Sequence, residues 1–195
     1  MEIGPRLKAE RQRQGISLRK LAEQVGVTAG LISHIENGRS QPSVSTLYAL
    51  ANHLGLSLDE VLGLNPQAPP RRSAERRQVV QRAAKHPTLH IASGVTWDLV
   101  VASIAGTVDA VRVTYEPGAS SSPDGSPMRH DGQENAYLVS GSLVLMLDGR
   151  RHVVRAGDSL SFDSMRPHRY VNETDEPAWG LWLNVDRGRE PTISG

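Results

Sequence analysis

The stretch "MRHDGQENAYLVSG", Met128 to Gly141, sets a histidine and a glutamate four residues apart at the mouth of an apolar strand. A second stretch, "GDSLSFDSMRPHRYVN", supplies His168 and Asn172. Side chains alternate along a strand, so Glu134, Ala136 and Leu138 share a face, as do His168, Tyr170 and Asn172. If the two strands neighbour one another, His130, Glu134 and His168 converge. Two imidazoles and one carboxylate form the facial triad that suits Fe(II) and leaves coordination positions open. The same three groups serve Mn, Ni or Zn, or hold water only. Met128, Gln133, Tyr137 and Asn172 stand beside them as candidate pocket residues. Such a site either performs chemistry or senses a small molecule, and the remainder of the chain decides which use is expected.

The 195 residues suit one large or two small domains. With no cysteine, disulfides, thiolate metal sites and cysteine nucleophiles are excluded. No apolar run approaches the roughly 18–20 residues that cross a bilayer. The opening "MEIGPRLKAERQRQG" is charged and lacks a secretory apolar stretch. A cytoplasmic protein with no membrane partner is expected. The net charge of +1 is unevenly spread: residues 1–64 sum to +1, residues 65–88 to +5 and residues 89–195 to −5. A basic connector between a near-neutral head and an acidic body is where a polyanion would be drawn.

Residues 5–64 read as five short helices. Ser17, Thr28 and Ser43 stand at N-cap positions, and Gly15, Gly26, Gly38 and Gly55 follow helix ends. "SLDEVLG" has Ser57 and Glu60 at capping-box spacing. The proline- and arginine-bearing "NPQAPPRRSAERR" predicts a flexible basic linker over 65–76. Beyond it, residues 77–187 read as short strands rich in β-branched and aromatic residues, the pattern of a sandwich or barrel. "EPGASSSPDGSP", 116–127, reads as a mobile polar loop.

In the head, "SLRKLAEQVGVTAGLISHIENG" joins two short helices by a tight turn, the spacing of a helix-turn-helix unit. Leu31, Ile32 and Ile35 are the apolar side of the second helix. Ala29, Gly30, Ser33, His34 and Asn37 leave its other side small and hydrogen-bonding, which lets a helix approach base edges. Thr28 at the helix N-terminus suits a phosphate. Arg19, Lys20 and Arg39 add positive charge, and Ser43 and Ser45 open the next helix. Double-stranded DNA is the expected partner.

Residues 6–63, through "LAEQVGV", "LISHIENGRSQPS" and "LYALANHLGLSLDEVL", resemble the lambda-repressor-like, or XRE-type, helix-turn-helix domain. The resemblance implies that Ala29, Gly30, Ser33 and His34 face the major groove, and that Arg11 pairs with Glu36. Ala29 and Gly30 stand where glutamines are usual, so no base preference carries over. Residues 77–185 resemble a cupin, a double-stranded β-helix or jelly-roll barrel. Met128 stands where that family usually has a further histidine, and Arg155 where it has a proline.

An α + β chain with an all-α head followed by an all-β barrel thus resembles a class of bacterial transcription regulators. The resemblance implies a cytoplasmic homodimer that binds an operator through its heads and a small-molecule effector, with or without a divalent metal, through its cupins. On this reading the chain is not an enzyme. The rival reading is a mononuclear non-heme iron oxygenase or epoxidase using His130, Glu134 and His168. A third is a head that binds a protein partner.

Overall fold

The structure is a computed structural model describing residues 3–56, 60–61, 82–101, 108–130 and 132–185. The head contains α1 (Gly4–Arg13), α2 (Leu18–Val25), α3 (Ala29–Glu36) and α4 (Val44–Leu54). Local chemistry sets their limits. The hydroxyls of Ser17, Thr28 and Ser43 accept from the backbone N–H three residues on, and Gly26 and Gly55 end α2 and α4 in the left-handed region. Leu7, Leu21, Ile32, Ile35, Leu47, Leu50 and Leu54 are buried between the helices.

One ion pair locks the head. Arg11 Nε lies 2.6 Å from Glu36 Oε1 and Nη2 lies 2.9 Å from Oε2, while Nη1 donates to Ile16 O at 2.8 Å. The bidentate fork fixes α1 against α3 with both side chains buried.

The body contains β1 (Thr88–Ile91), β2 (Val95–Val101), β3 (Val108–Tyr115), β4 (Gln133–Ser140), β5 (Ser142–Leu147), β6 (Arg150–Arg155), β7 (Ser159–Asp163), β8 (His168–Val171) and β9 (Ala178–Val185). They form a six-stranded sheet of order β1-β2-β3-β9-β4-β7 and a three-stranded sheet of order β6-β5-β8, antiparallel throughout. Asp148 and Gly149, both at positive φ, close the β5–β6 hairpin, the backbone a two-residue primed turn requires. Ser93 and Gly94, likewise left-handed, turn β1 into β2.

Two expectations are corrected. Among the described residues there are four α-helices, not five. Glu60 and Val61 are helical, but most of the 57–63 segment lies outside the described residues, as does the 65–76 linker. Nor do the described strands close into a barrel: the two sheets are separate and open at their edges. The segment that would complete the ladder, 116–130, carries Pro117, Pro123 and Pro127. Proline cannot donate to a ladder, and only isolated bridges, Ser120 to Val171 and Met128 to His168, join this segment to β8.

The same segment is not the mobile loop its composition predicts. Ser121 and Ser122 are fully buried. Ser121 N donates to Tyr170 O and Tyr170 N donates to Ser121 Oγ, each at 3.0 Å. Ser121 is buried because the backbone of β8 uses it, and Ser122 because it bonds within its own turn, its N–H to Ser120 Oγ and its hydroxyl to Asp124.

The Arg11–Glu36 fork generates a stability prediction. Glu36→Ala leaves a buried guanidinium unpaired and is expected to destabilise the head by about 3–5 kcal/mol, whereas replacing both partners by apolar residues recovers most of the loss. Urea denaturation followed by far-UV circular dichroism checks both.

Candidate metal and effector site

Three adjacent strands supply the floor of a pocket. On β3, Val111, Val113 and Tyr115 point inward, and on β9 Trp182 lies between Val111 and Ala136 of the neighbouring strands. On β4 the inward residues are Glu134, Ala136 and Leu138. The opposite wall is β8, where His168 and Tyr170 are almost fully buried. Met128 pairs directly with His168 through two backbone hydrogen bonds, which brings the chain carrying His130 alongside.

His130, Glu134 and His168 therefore meet, with one ligand atom from each within 4.8 Å of the others. Glu134 Oε2 lies 2.9 Å from His168 Nε2 and 3.5 Å from His130 Nε2. Trp182 Nε1 donates to Glu134 Oε1 at 2.8 Å and fixes the carboxylate plane. His168 Nδ1 lies 2.8 Å from Arg166 O. A carbonyl can only accept, so Nδ1 carries the proton and the neutral ring turns the lone pair of Nε2 toward Glu134. Two acceptors facing across 2.9 Å require a cation between them: either a second proton on the imidazole or a metal ion. Glu134 Oε2 and His168 Nε2 are buried with no hydrogen-bond partner of good geometry. The donor set of two imidazoles and a carboxylate fits a divalent metal. The cluster is capable of coordinating one.

Glu134 and His168 shift one another's titration. Burial acts to raise the Glu134 carboxyl, but the adjoining His130 and His168 rings outweigh it and hold it at about 2. For His168 burial acts to lower the imidazole, and Glu134 more than reverses this, so the ring titrates above its ordinary range. Tyr48 and Tyr170 are both raised, first by burial and then by the Glu134 charge.

The remaining sequence candidates divide. Met128 lines the pocket. Gln133 and Tyr137 do not: on β4 they have the opposite parity to Glu134, and Tyr137 is 49% exposed on the outer face of the sheet. Asn172 is buried but occupied, its Nδ2 donating to Tyr115 O and Glu176 O while Oδ1 accepts from Thr174. It clamps a turn.

In the head, Arg19, Lys20, Thr28, Gly30, His34, Asn37 and Arg39 are exposed, and Ala29 and Ser33 partly so. Asn37 Nδ2 donates to Ser33 O. Ser43 and Ser45 are placed differently from the other candidates. Ser43 is buried with its hydroxyl capping α4, and Ser45 N donates to Ser121 O of the body.

Sequence reasoning missed the aromatic lining, above all Tyr48 of α4. Its ring stacks on His130 with centroids 4.0 Å apart and planes 5° from parallel, and meets Trp97 edge-on at 6.1 Å. Nothing in "LYALANHLG" distinguishes this tyrosine from an ordinary core residue. Trp182 and Tyr170 were more accessible, since strand parity puts Tyr170 with His168.

Comparison with known proteins decides the family. Residues 7–61 match a helix-turn-helix model and residues 111–184 a cupin domain model. The chain is 31% identical over 172 residues to the HTH-type transcriptional regulator PuuR of Escherichia coli K12, covering 87% of this chain and 86% of the relative. The chain belongs to the helix-turn-helix transcriptional regulators that carry a cupin domain. It is a transcriptional regulator with a DNA-binding head and a cupin capable of binding a small molecule or metal. A helix-turn-helix regulator from Vibrio cholerae has the same fold end to end, with 20% identity, 94% of each chain covered and a TM-score of 0.65. Overlap with hydroxypropylphosphonic acid epoxidase from S. wedmorenis is looser: 18% identity, 94% of this chain and 97% of that one, TM-score 0.48. No helix of the described residues is long and apolar enough to cross a membrane.

The expectation that the chain is not an enzyme is corrected by the assembled triad. Three buried ligand atoms in facial-triad chemistry have catalytic potential, whatever else the cupin does.

The Trp182 indole is the fixed support of the buried carboxylate. Trp182→Phe leaves Glu134 Oε1 without its donor and is expected to cost about 1–3 kcal/mol of stability, measured by thermal unfolding of the metal-free chain.

Proposed function

We propose that this chain is a homodimeric operator-binding regulator whose effector site is the His130–Glu134–His168 centre, holding a divalent metal. One observation carries the metal reading: His168 Nε2 and Glu134 Oε2 face one another at 2.9 Å with no hydrogen-bond partner of good geometry. His130, Glu134 and His168 would hold the ion, which supplies a Lewis-acidic position for an anionic or neutral donor ligand. Arg166 O keeps His168 in the ligating tautomer, and Trp182 keeps Glu134 in place. Fe, Mn, Ni and Zn all suit this donor set. The chain's own domains are residues 5–64 and 77–187, joined through a basic linker over 65–76.

On the DNA side, Ala29, Gly30, Ser33 and His34 read bases, while Arg19, Lys20, Thr28, Asn37 and Arg39 contact phosphates or hold the register. Homodimer formation is supported by Tyr137, Val139 and Leu183, which leave an apolar strip on the outer face of the larger sheet. A second copy would cover that strip and set two heads side by side.

A second reading, metal-dependent chemistry on a substrate, is favoured by the same orphaned ligand atoms. It is tested by oxygen uptake from the anaerobically Fe(II)-loaded chain with candidate substrates.

Selection from random duplexes is expected to return two half-sites about one helical turn apart. In gel-shift titrations Arg39→Ala weakens all sequences alike and lowers the salt slope by about 1, while His34→Ala changes the preferred sequence. Identical behaviour of the two variants across operator variants would refute the assignment. For the metal, elemental analysis of the purified chain should find about one divalent ion per protomer, lost in Glu134→Ala and in His168→Ala. Retention of the ion by both variants would place it elsewhere.

A further inference from the structure

The pocket has little room. About 30 Å³ is open to the centres of water molecules, room for a metal ion and a few waters, and a larger occupant would press on the rings that line it. The piece that closes the space is not part of the cupin. Tyr48 and Val44, both on α4 of the DNA-binding head, line the pocket beside Trp97, Met128 and Glu134. Tyr48 lies flat on the ring of His130, one of the three ligands.

The helix bearing Tyr48 is held to the body by polar contacts at its start. Ser45 is the second residue of α4, where a helix leaves its N–H groups without internal acceptors. Its N–H donates to Ser121 O at 3.0 Å, and Ala92 N of the body donates to Pro42 O of the head at 2.9 Å. Ser121 in turn is bonded twice to Tyr170 on the pocket wall. The buried apolar cluster is continuous from head to body.

From this we infer that the head completes the effector site. Tyr48 is its lid and specificity-determining residue, and an occupant larger than a hydrated metal ion enters only as α4 leaves the body. The inference rests on the reading of the triad as the effector site. It gives that site a size limit and a mechanical connection to the head: the Ser45 amide, at the start of α4, is committed to Ser121 while the lid is shut. A ligand that prefers the open arrangement shifts the population of docked heads.

The test uses the full chain with Co(II) as the metal and imidazole as an occupant too large for the closed pocket. Imidazole is titrated against the cobalt absorption band while amide exchange is followed at Ser45 and Ala92. Tyr48→Ala is expected to bind imidazole about tenfold tighter than the wild type or Tyr48→Phe, which keeps the stacking ring. In the wild type, imidazole binding should speed exchange at both amides. Equal imidazole affinity in all three proteins, with unchanged exchange, overturns the lid. If no cobalt band develops, the metal reading fails separately, and the metal-free chain decides. Exchange at Ser45 and Ala92 about tenfold faster in Tyr48→Ala than in Tyr48→Phe then supports the lid, and equal exchange overturns it.

Discussion

A carboxylate buried among aromatic rings governs the arrangement of this cupin. An isolated ionised carboxyl in such surroundings is strongly unfavourable, and proteins tolerate one only when its charge and lone pairs are answered. Glu134 is answered on one oxygen by the Trp182 indole, while the other faces two imidazoles across a gap that a shared proton or a metal ion balances. Each partner is fixed by something else: Trp182 by its place between β3 and β4, His168 by Arg166 O and its pairing with Met128, His130 by its N–H to Ser164 O. The site is therefore built outward from one charge.

That constraint reaches the head through a short chain of contacts. The ring of Tyr48 covers His130, and the backbone of Ser121 touches both Tyr170 and Ser45. Ser121 joins the Tyr170 backbone directly to the Ser45 amide in the first turn of α4. Such directness differs from coupling spread across a domain, because the intermediate is a backbone carbonyl with one acceptor role toward α4.

Much of this was legible in the sequence, for identifiable reasons. Caps at Ser17, Thr28 and Ser43 and left-handed glycines at 26 and 55 are local chemistry, readable without tertiary context. Strand parity placed Glu134 with Ala136 and His168 with Tyr170, and the two stretches did meet. Parity also placed Gln133 and Tyr137 outward, but adjacency along the chain drew them into the candidate pocket. The serine run at 120–122 reads as a mobile loop because composition cannot say whether hydroxyls face water or a neighbouring strand. Barrel closure was overestimated since periodicity marks strands but not whether prolines will interrupt their pairing. Tyr48 was invisible for a simpler reason: its role depends on how two domains meet.

The position of Ser121 limits how this architecture can be rebuilt. Its carbonyl serves the head, while its amide and hydroxyl serve β8. A chimera that grafts a foreign DNA-reading module onto this cupin would need a donor at the place of the Ser45 amide and a flat ring at the place of Tyr48. Without both, the transplanted module would be tethered to the sensor but deaf to it.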